Sequence, residues 1–416
     1  MKNKEFNIII SNSDYTITAS GTEKVIRNLV NTLNDNNISV VQIYKIKKIE
    51  YLGVYIDNKF YGVYNKKNIK NLISYFINKG YKCNGIILEH IIGFETSFIK
   101  NLILELKINV VIAIHDFYYI CNTFDFLKNH KNFCGITKPT KEKCKDCYNY
   151  PKVLEHQKEI KELFNQCDKY IKKIVFPSEF CLNEWIKIYP KLKTKAVVRE
   201  HQIEQGNYKN NKNNKKLRLA YIGKKSIHKG YNTWKKIISN RIIQNNYELY
   251  YFGTNIDKNS NIKEIYTSNA VKDDEMVQQL RKNNIDVVLL LSTIPETYSF
   301  TYYEATASNS LIITTIASGN IANMCIKRGN GIVLNDEKEL IEYLESKNNY
   351  KNILLHKNSL ISPLSLTPNQ QYDVFEVDSV KKTNIKPKNR NILILKYLYL
   401  IVRRIKINEK NRNNNS

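Results

Sequence analysis

The segment Pro295-Glu296-Thr297-Tyr298-Ser299-Phe300-Thr301-Tyr302-Tyr303-Glu304 carries two carboxylates with seven residues between them, a spacing that gives them different tasks. It follows a buried-strand pattern at Asp286–Leu291 and opens a helix. Glu296 therefore lies in the loop at the strand end, and Glu304 about two turns into the helix, along its side. The amides of Tyr298–Thr301 are helix-start donors with no preceding turn to pair them, and with the helix dipole they favour a phosphate. Taken alone, Glu296 reads equally as a complement to the dipole and Glu304 as a solvated charge.

The pair does not stand alone. A strand pattern at Leu217–Ile222 ends in Gly223-Lys224-Lys225-Ser226-Ile227-His228-Lys229-Gly230, just before a helix at Tyr231. Glycine at a strand end permits a tight turn near phosphate, and Lys229 supplies a point charge to it. Earlier, Ser20-Gly21-Thr22-Glu23 begins a helix after the first strand, a loop that lets a ligand approach backbone. His115-Asp116 closes the apolar run Val110–Ile114, where a neutral imidazole can bond a hydroxyl. The plainer reading is a structural histidine with Asp116 as a helix cap.

Parallel sheets are the elements that bring such loops together. Strands are expected at Phe6–Ser11, Ile38–Tyr44, Gly85–Ile91, Val110–His115, Lys173–Pro177 and Lys195–Arg199, with helices between them such as Glu23–Leu33 and Val153–Asn165. Gln205–Lys216 is almost purely Asn, Lys, Gly and Gln and reads as a linker. The alternation then restarts, with strands at Leu217–Ile222, Glu248–Phe252, Asp286–Leu291, Leu311–Thr315 and Gly331–Leu334. Helices are expected at Tyr231–Ser239, Asp274–Lys282, Ser299–Ser308 and Glu337–Ser346. The chain thus divides into a first domain at 1–204, a linker at 205–216, a second domain at 217–350 and a basic tail at 351–416. Both domains are α/β and doubly wound, and a cleft between the carboxyl ends of their sheets is where ligands bind.

Composition narrows the setting. The chain has no export-signal pattern and no apolar run of membrane-spanning length, which implies a cytoplasmic protein. Its net charge of +26 comes without any nucleic-acid motif, so generic surface lysine explains it better than nucleic-acid binding. Ile392–Ile407 interleaves apolar residues with Lys396, Arg403, Arg404 and Lys406. It reads either as a basic helix on the inner face of an anionic membrane or as a helix packed back on the first domain. Cys121, Cys134, Cys144 and Cys147 fall within one Lys-rich segment; a Cys-x-x-Cys knuckle with further thiols suits a structural Zn2+, with His130 as a substitute ligand.

Together these motifs resemble the GT4 family of retaining glycosyltransferases, which have the GT-B fold of two Rossmann-like domains facing a cleft. The resemblance rests on the Gly21 loop, His115-Asp116, Phe176-Pro177-Ser178-Glu179, the Gly223…His228-Lys229-Gly230 loop and Glu296…Glu304-Ala305, in family order over about residues 1–340. It implies that Glu304 bonds the ribose of a nucleotide sugar and that Lys229 and Lys224 hold its diphosphate beside Tyr298, Ser299 and Phe300. Glu296 and His115 would contact the transferred sugar, and Gly21 would let the first domain close over the diphosphate. Two departures stand out: Ser299 replaces a common glycine, and Lys224 replaces a common arginine and lacks its fork. The Cys-rich insertion after His115-Asp116 is similar to that of a subgroup from cell-surface polysaccharide synthesis.

The sequence holds no Asp-x-Asp pair for a catalytic cation, so the helix start and Lys229 are expected to stabilise the departing diphosphate. The resemblance implies transfer of a sugar, with retention, to a growing glycan or a lipid-linked acceptor. Rival readings are a nucleotide-sugar epimerase on the same scaffold and a non-catalytic, zinc-containing polyanion-binding protein.

Overall fold

The computed structural model describes residues 1–18, 20–46, 49–210, 214–256, 262–267, 275–369, 372–375 and 399–400. The first half builds strands β1 (Glu5–Ser11), β2 (Ser39–Lys45), β3 (Leu52–Ile56), β4 (Lys59–Tyr64), β5 (Lys82–Leu88) and β6 (Val110–Ala113). A short ribbon, β7 (Leu127–Lys128) and β8 (Asn132–Phe133), precedes β9 (Ile171–Phe176) and β10 (Ala196–Val198). Without the ribbon they form one eight-stranded sheet, ordered β10-β9-β6-β5-β1-β2-β3-β4. Its central strands are parallel and buried on both faces, and so read as unbroken apolar runs such as Ile8-Ile9-Ile10.

The edge hairpin β3–β4 is antiparallel and was not expected from the alternation of strands and helices. Asp57 and Asn58 both take positive φ, 47° and 65°, the backbone that a two-residue turn requires to match strand twist.

The second half carries β11 (Gln202–Gln205), β12 (Leu217–Ile222), β13 (Tyr247–Gly253), β14 (Lys263–Tyr266), β15 (Val287–Leu290), β16 (Leu311–Thr315), β17 (Gly331–Leu334) and β18 (Ser365–Pro368). Six of them form a parallel sheet ordered β14-β13-β12-β15-β16-β17, with apolar clusters on both faces. The chain is therefore α/β with two Rossmann-like sheets. In each, strand order reverses beside a central strand, β1 in one and β12 in the other, and the crevice past the carboxyl ends opens there.

The connection between the domains is more than a polar linker at 205–216 and a basic, partly helical tail from 351. β11 pairs antiparallel with β18, and Tyr208 bridges to Ser362. The helix Lys347–Ser359 crosses the expected boundary at 350 and buries Ile353 against the second sheet. Its Lys357 forms a buried ion pair with Asp286 at 3.4 Å. The chain then returns to the first domain, where Asn369 accepts from Arg199 and Phe375 joins the core beside the helix Gly21–Asp35. Apolar and ionic groups spaced along a polar sequence make these crossings, and no local pattern announces them.

The expected basic stretch Ile392–Ile407 lies outside the described residues except for Tyr399 and Leu400. Tyr399 packs on the first domain, stacked on Phe60 at 5.0 Å with its hydroxyl donating to Asp14. Among the described residues no helix is long and apolar enough to cross a membrane.

Candidate active site

The Lys229 loop follows β12 and the Glu296 loop follows β15, and these strands are neighbours in the sheet. Gly230 makes the first loop possible. Its φ is +74°, and a Cβ there would lie 2.0 Å from the Leu291 carbonyl, so only glycine lets the turn close on the end of β15. The second loop is pinned from the far side. The Glu296 amide donates to the Ser318 carbonyl, and the Asn320 amide donates to the Glu296 carbonyl. Gly319 between them has φ +64° and no room for a side chain against Pro295.

These turns bring the two motifs together. Lys229 Nζ lies 2.5 Å from Glu296 Oε1, which also accepts from Ser292 Oγ at 3.0 Å. The helix starts at Phe300 with Ser299 as N-cap, its hydroxyl accepting from the Tyr302 amide. That places the amides of Phe300 and Thr301 at the open end of the helix. The expected start at Ser299 is one residue early, because Ser299 takes the extended backbone of a cap.

The first domain closes the other wall. Gly21 opens the helix Gly21–Asp35 and sits against the Phe300 ring, so a Cβ there would approach it to 3.3 Å. Ser178 caps its own helix and donates to the Thr297 carbonyl at 2.7 Å, while Thr297 Oγ1 donates to the His115 carbonyl. The loop bearing Glu296 is thus held by both domains.

The result is one interdomain cavity of about 390 Å³, lined by Gly21, Lys24, His115, His201, Gly223, Lys224, His228, Lys229, Glu296, Tyr298, Ser299, Phe300 and others. Among the described residues, three lysines and the starts of two helices face it, against a single lining carboxylate, Glu296. Such a field suits an anion with several charges. Burial, then the Lys229 charge, holds the His228 imidazole below its ordinary pKa. Burial, then His115 and Arg199, pushes His201 well below its own.

All the expected donor-site residues line this cavity except Glu304. Glu304 is fully buried one turn behind Phe300, and Lys24 Nζ lies 3.8 Å from its Oε1. Lys24 also sits 4.9 Å over the Phe300 ring, so it stands between Glu304 and the cleft.

Sequence reading missed Lys24, Glu89, His90 and His201. Glu89-His90 sits just past β5 as His115-Asp116 sits past β6, and the two dipeptides pair crosswise. His115 Nε2 is 2.6 Å from Glu89 Oε2, and His90 Nε2 is 2.9 Å from Asp116 Oδ2. The signal that singled out His115-Asp116, a polar pair ending an apolar strand, was present for Glu89-His90. Asp116 is committed to His90 and to the Tyr118 amide, an Asx turn rather than a helix cap. His201 carries no motif; it stacks between His115 and Phe300, with ring centroids at 5.6 and 5.8 Å.

The four clustered thiols share one neighbourhood. Burial, then Cys121, Cys144 and Cys147 acting through space, pushes Cys134 up to about 11. Cys121 is raised by burial, with Cys144 and Cys147 adding to it against two hydrogen bonds from Thr123. The donor set suits zinc chemically. Among the described residues, however, no three His, Cys, Asp or Glu side chains converge as a metal-holding group. His130 packs on Tyr148, ring to ring at 4.1 Å.

No protein-family model matches the chain, and no curated protein matches it in sequence. Solved structures do match it in shape. Anabaena HepE, solved with UDP-glucose, has a TM-score of 0.51 at 11% identity over 85% of this chain and 93% of its own. The pneumococcal O-GlcNAc transferase GtfA, solved with UDP and GlcNAc, has a TM-score of 0.51 at 12% identity over 85% and 94%. A glycosyltransferase from Rickettsia africae has a TM-score of 0.50 at 12% identity over 85% and 93%. At such identities the likeness is one of architecture: this chain has the GT-B fold, two Rossmann-like domains facing a cleft.

Proposed function

We propose that the chain is a glycosyltransferase, moving a sugar from a nucleoside-diphosphate donor to a hydroxyl of a growing glycan. The observation that carries this reading is the convergence of Lys224, Lys229, Glu296 and two helix starts on one cavity between the domains. Cations and amides at a helix start stabilise charge that builds on a departing diphosphate. In this reading Lys229 exchanges its bond to Glu296 for the diphosphate. Glu296 and the His115 ring then face the transferred sugar. For Glu304 to hold the ribose, Lys24 must uncover its carboxylate, and Lys24 already lines the cavity that the donor would enter.

The finer parts of the proposal rest on the motif resemblance: GT4-type transfer with retention of anomeric configuration, in cell-surface polysaccharide synthesis. So do a cytoplasmic setting and a lipid-linked acceptor at an anionic membrane surface, which the basic stretch 392–407 would suit. The screen that tests the function measures thermal stabilisation by UDP-, GDP- and ADP-sugars, since a bound donor raises stability by mass action. HepE and GtfA were solved with uridine nucleotides, so UDP-sugars head it. The stabilising donor is then incubated with and without glycan acceptors. Acceptor-dependent release of nucleoside diphosphate supports the proposal. Interconversion of the donor alone makes the protein an epimerase, and stabilisation by no nucleotide sugar ends the reading.

A further inference from the structure

Glu89 is a buried acid that the proposed chemistry does not use. It follows the last residue of β5, is 1% exposed, and places Oε2 2.6 Å from Nε2 of His115. A carboxylate only accepts hydrogen bonds, so the imidazole donates to it through Nε2. That leaves Nδ1, with its lone pair, as the ring atom available to the cleft that His115 lines. The ring is also fixed in plane. His201 stacks on it at 5.6 Å with an interplanar angle of 24°, and Phe300 of the second domain backs His201 in turn.

The other oxygen of Glu89 has its own setting. Oε1 is buried and makes no hydrogen bond to the described residues, and the same holds for Nη1 of Arg199. Both residues border a separate small cavity of about 40 Å³, behind His115 and beneath the helix Gly21–Asp35, where Asn28 and Thr32 add polar atoms. That volume holds one or two water molecules, and polar atoms around it are what an ordered water needs. Arg199 is tethered from its far side, with Nη2 donating to the Asn369 carbonyl and the guanidinium 5.4 Å over Phe375. A fixed cation thus faces a fixed carboxylate across a water-sized space.

We propose that Glu89 is the positioning residue for His115. It holds the ring in the Nε2–H form, so that Nδ1 accepts a hydrogen bond from a sugar hydroxyl, while Arg199 balances the buried carboxylate through solvent in the small cavity. A carboxylate that orients a working imidazole sets its tautomer as well as its angle. This rests on the proposed glycosyl transfer for its catalytic consequence and on geometry alone for the tautomer.

The test uses the full chain. Glu89→Gln is isosteric but removes the charge, and it is expected to lower kcat by roughly tenfold or more, by analogy with the loss of the carboxylate partner of a metal-bound histidine. Its affinity for the nucleoside diphosphate, measured by calorimetry, stays at the wild-type value, because Glu89 does not line the donor cavity. Glu89→Asp recovers part of the rate. A Glu89→Gln enzyme with wild-type kcat, or one that loses diphosphate affinity in parallel with rate, overturns the proposal. Nitrogen NMR of wild-type protein labelled at histidine decides the tautomer even if the variants fail to fold: Nε2–H at His115 is expected, and Nδ1–H overturns it. Absence of turnover by the wild-type protein with every nucleotide sugar defeats the transferase reading instead, and leaves the tautomer result standing.

Discussion

Lys229 and Glu296 neutralise each other at 2.5 Å inside a cavity that Lys24 and Lys224 also line, so each residue governs how available the other is. Their substitutions are therefore expected to act in opposite directions on binding. Lys229→Ala should weaken nucleoside-diphosphate affinity by about tenfold or more, the worth of one charge-assisted hydrogen bond. Glu296→Gln releases the lysine and should leave that affinity unchanged or tighter, while kcat falls on the order of a hundredfold as a group facing the reacting sugar is lost. Calorimetry of both variants with UDP, beside single-turnover rates, checks the pair. Equal loss of affinity in both would mean that the bond between them is structural.

His90 and Asp116 make a partly buried imidazole–carboxylate pair whose stability should follow pH. Burial disfavours the charged imidazole, but Asp116, with Glu23 and Glu89 beyond it, outweighs burial and raises His90 above the ordinary 6.5. Burial likewise opposes the Asp116 charge, and His90, the Tyr118 amide and His115 together outweigh it to bring the acid below 3.8. The histidine contribution is complete below 6.5 and disappears as pH rises through its raised value. The aspartate contribution is complete above 3.8 and disappears as pH falls through its lowered value. Thermal melts of wild type and Asp116→Asn should thus differ most between pH 4 and 6.5, and the difference should narrow at higher pH to what Asp116 keeps through the Tyr118 amide. His201, held neutral by burial, titrates in the opposite sense, but it is common to both proteins and cancels in the difference.

Legibility in the sequence followed the range of the interactions. The runs at Leu217–Ile222 and Leu311–Thr315 coincide with strands because parallel strands buried on both faces write their burial into nearly every residue. Lys229 and Glu296 were visible together because both sit in loops after neighbouring strands of one sheet. Lys24 was hidden in a helix whose pattern gives no sign that Glu304 faces it from another domain. His201 was hidden because its partners, His115 and Phe300, lie 86 and 99 residues away in sequence (201 − 115 and 300 − 201). The return of Asn369 and Phe375 to the first domain was illegible for the same reason: a single arginine and one aromatic contact direct it.

The cysteine segment gives a metal prediction that is independent of turnover. Cys121, Cys134, Cys144 and Cys147 lie near enough to perturb one another, in a segment also held by hydrogen bonds such as Asn129 Nδ2 to the Asp146 carbonyl at 3.0 Å and by Phe126 and Ile136 against the first core, and the thiols would have to draw closer together to hold a metal. Four thiols in one loop are a donor set for tetrahedral zinc, and binding it would supply folding energy that the polar loop lacks. Protein purified without chelator is expected to carry one zinc per chain by elemental analysis, to lose it in the Cys144→Ser, Cys147→Ser double variant, and to melt lower after chelation. Zinc-free protein whose melting temperature is indifferent to chelator would leave the segment to its hydrogen bonds and to packing such as Phe126 in the first core.

Lys357 tests whether the C-terminal segment is part of the second domain or an appendage to it. Its ammonium reaches Asp286 at 3.4 Å with both side chains almost wholly out of solvent, and Asp286 also accepts from the Arg218 amide and from Asn214. Removing one partner of such a pair leaves a charge that burial penalises, at a cost of about 3–5 kcal/mol. Lys357→Met is therefore expected to lower the stability of the second domain by that order, read by denaturant melts. Pairing it with Asp286→Asn should restore much of the loss, because the amide carries no charge and its oxygen still accepts from the Arg218 amide and Asn214 where Oδ2 did. A Lys357→Met protein as stable as wild type would mean that the helix Lys347–Ser359 is held by Ile353 and its apolar neighbours, with the ion pair contributing nothing.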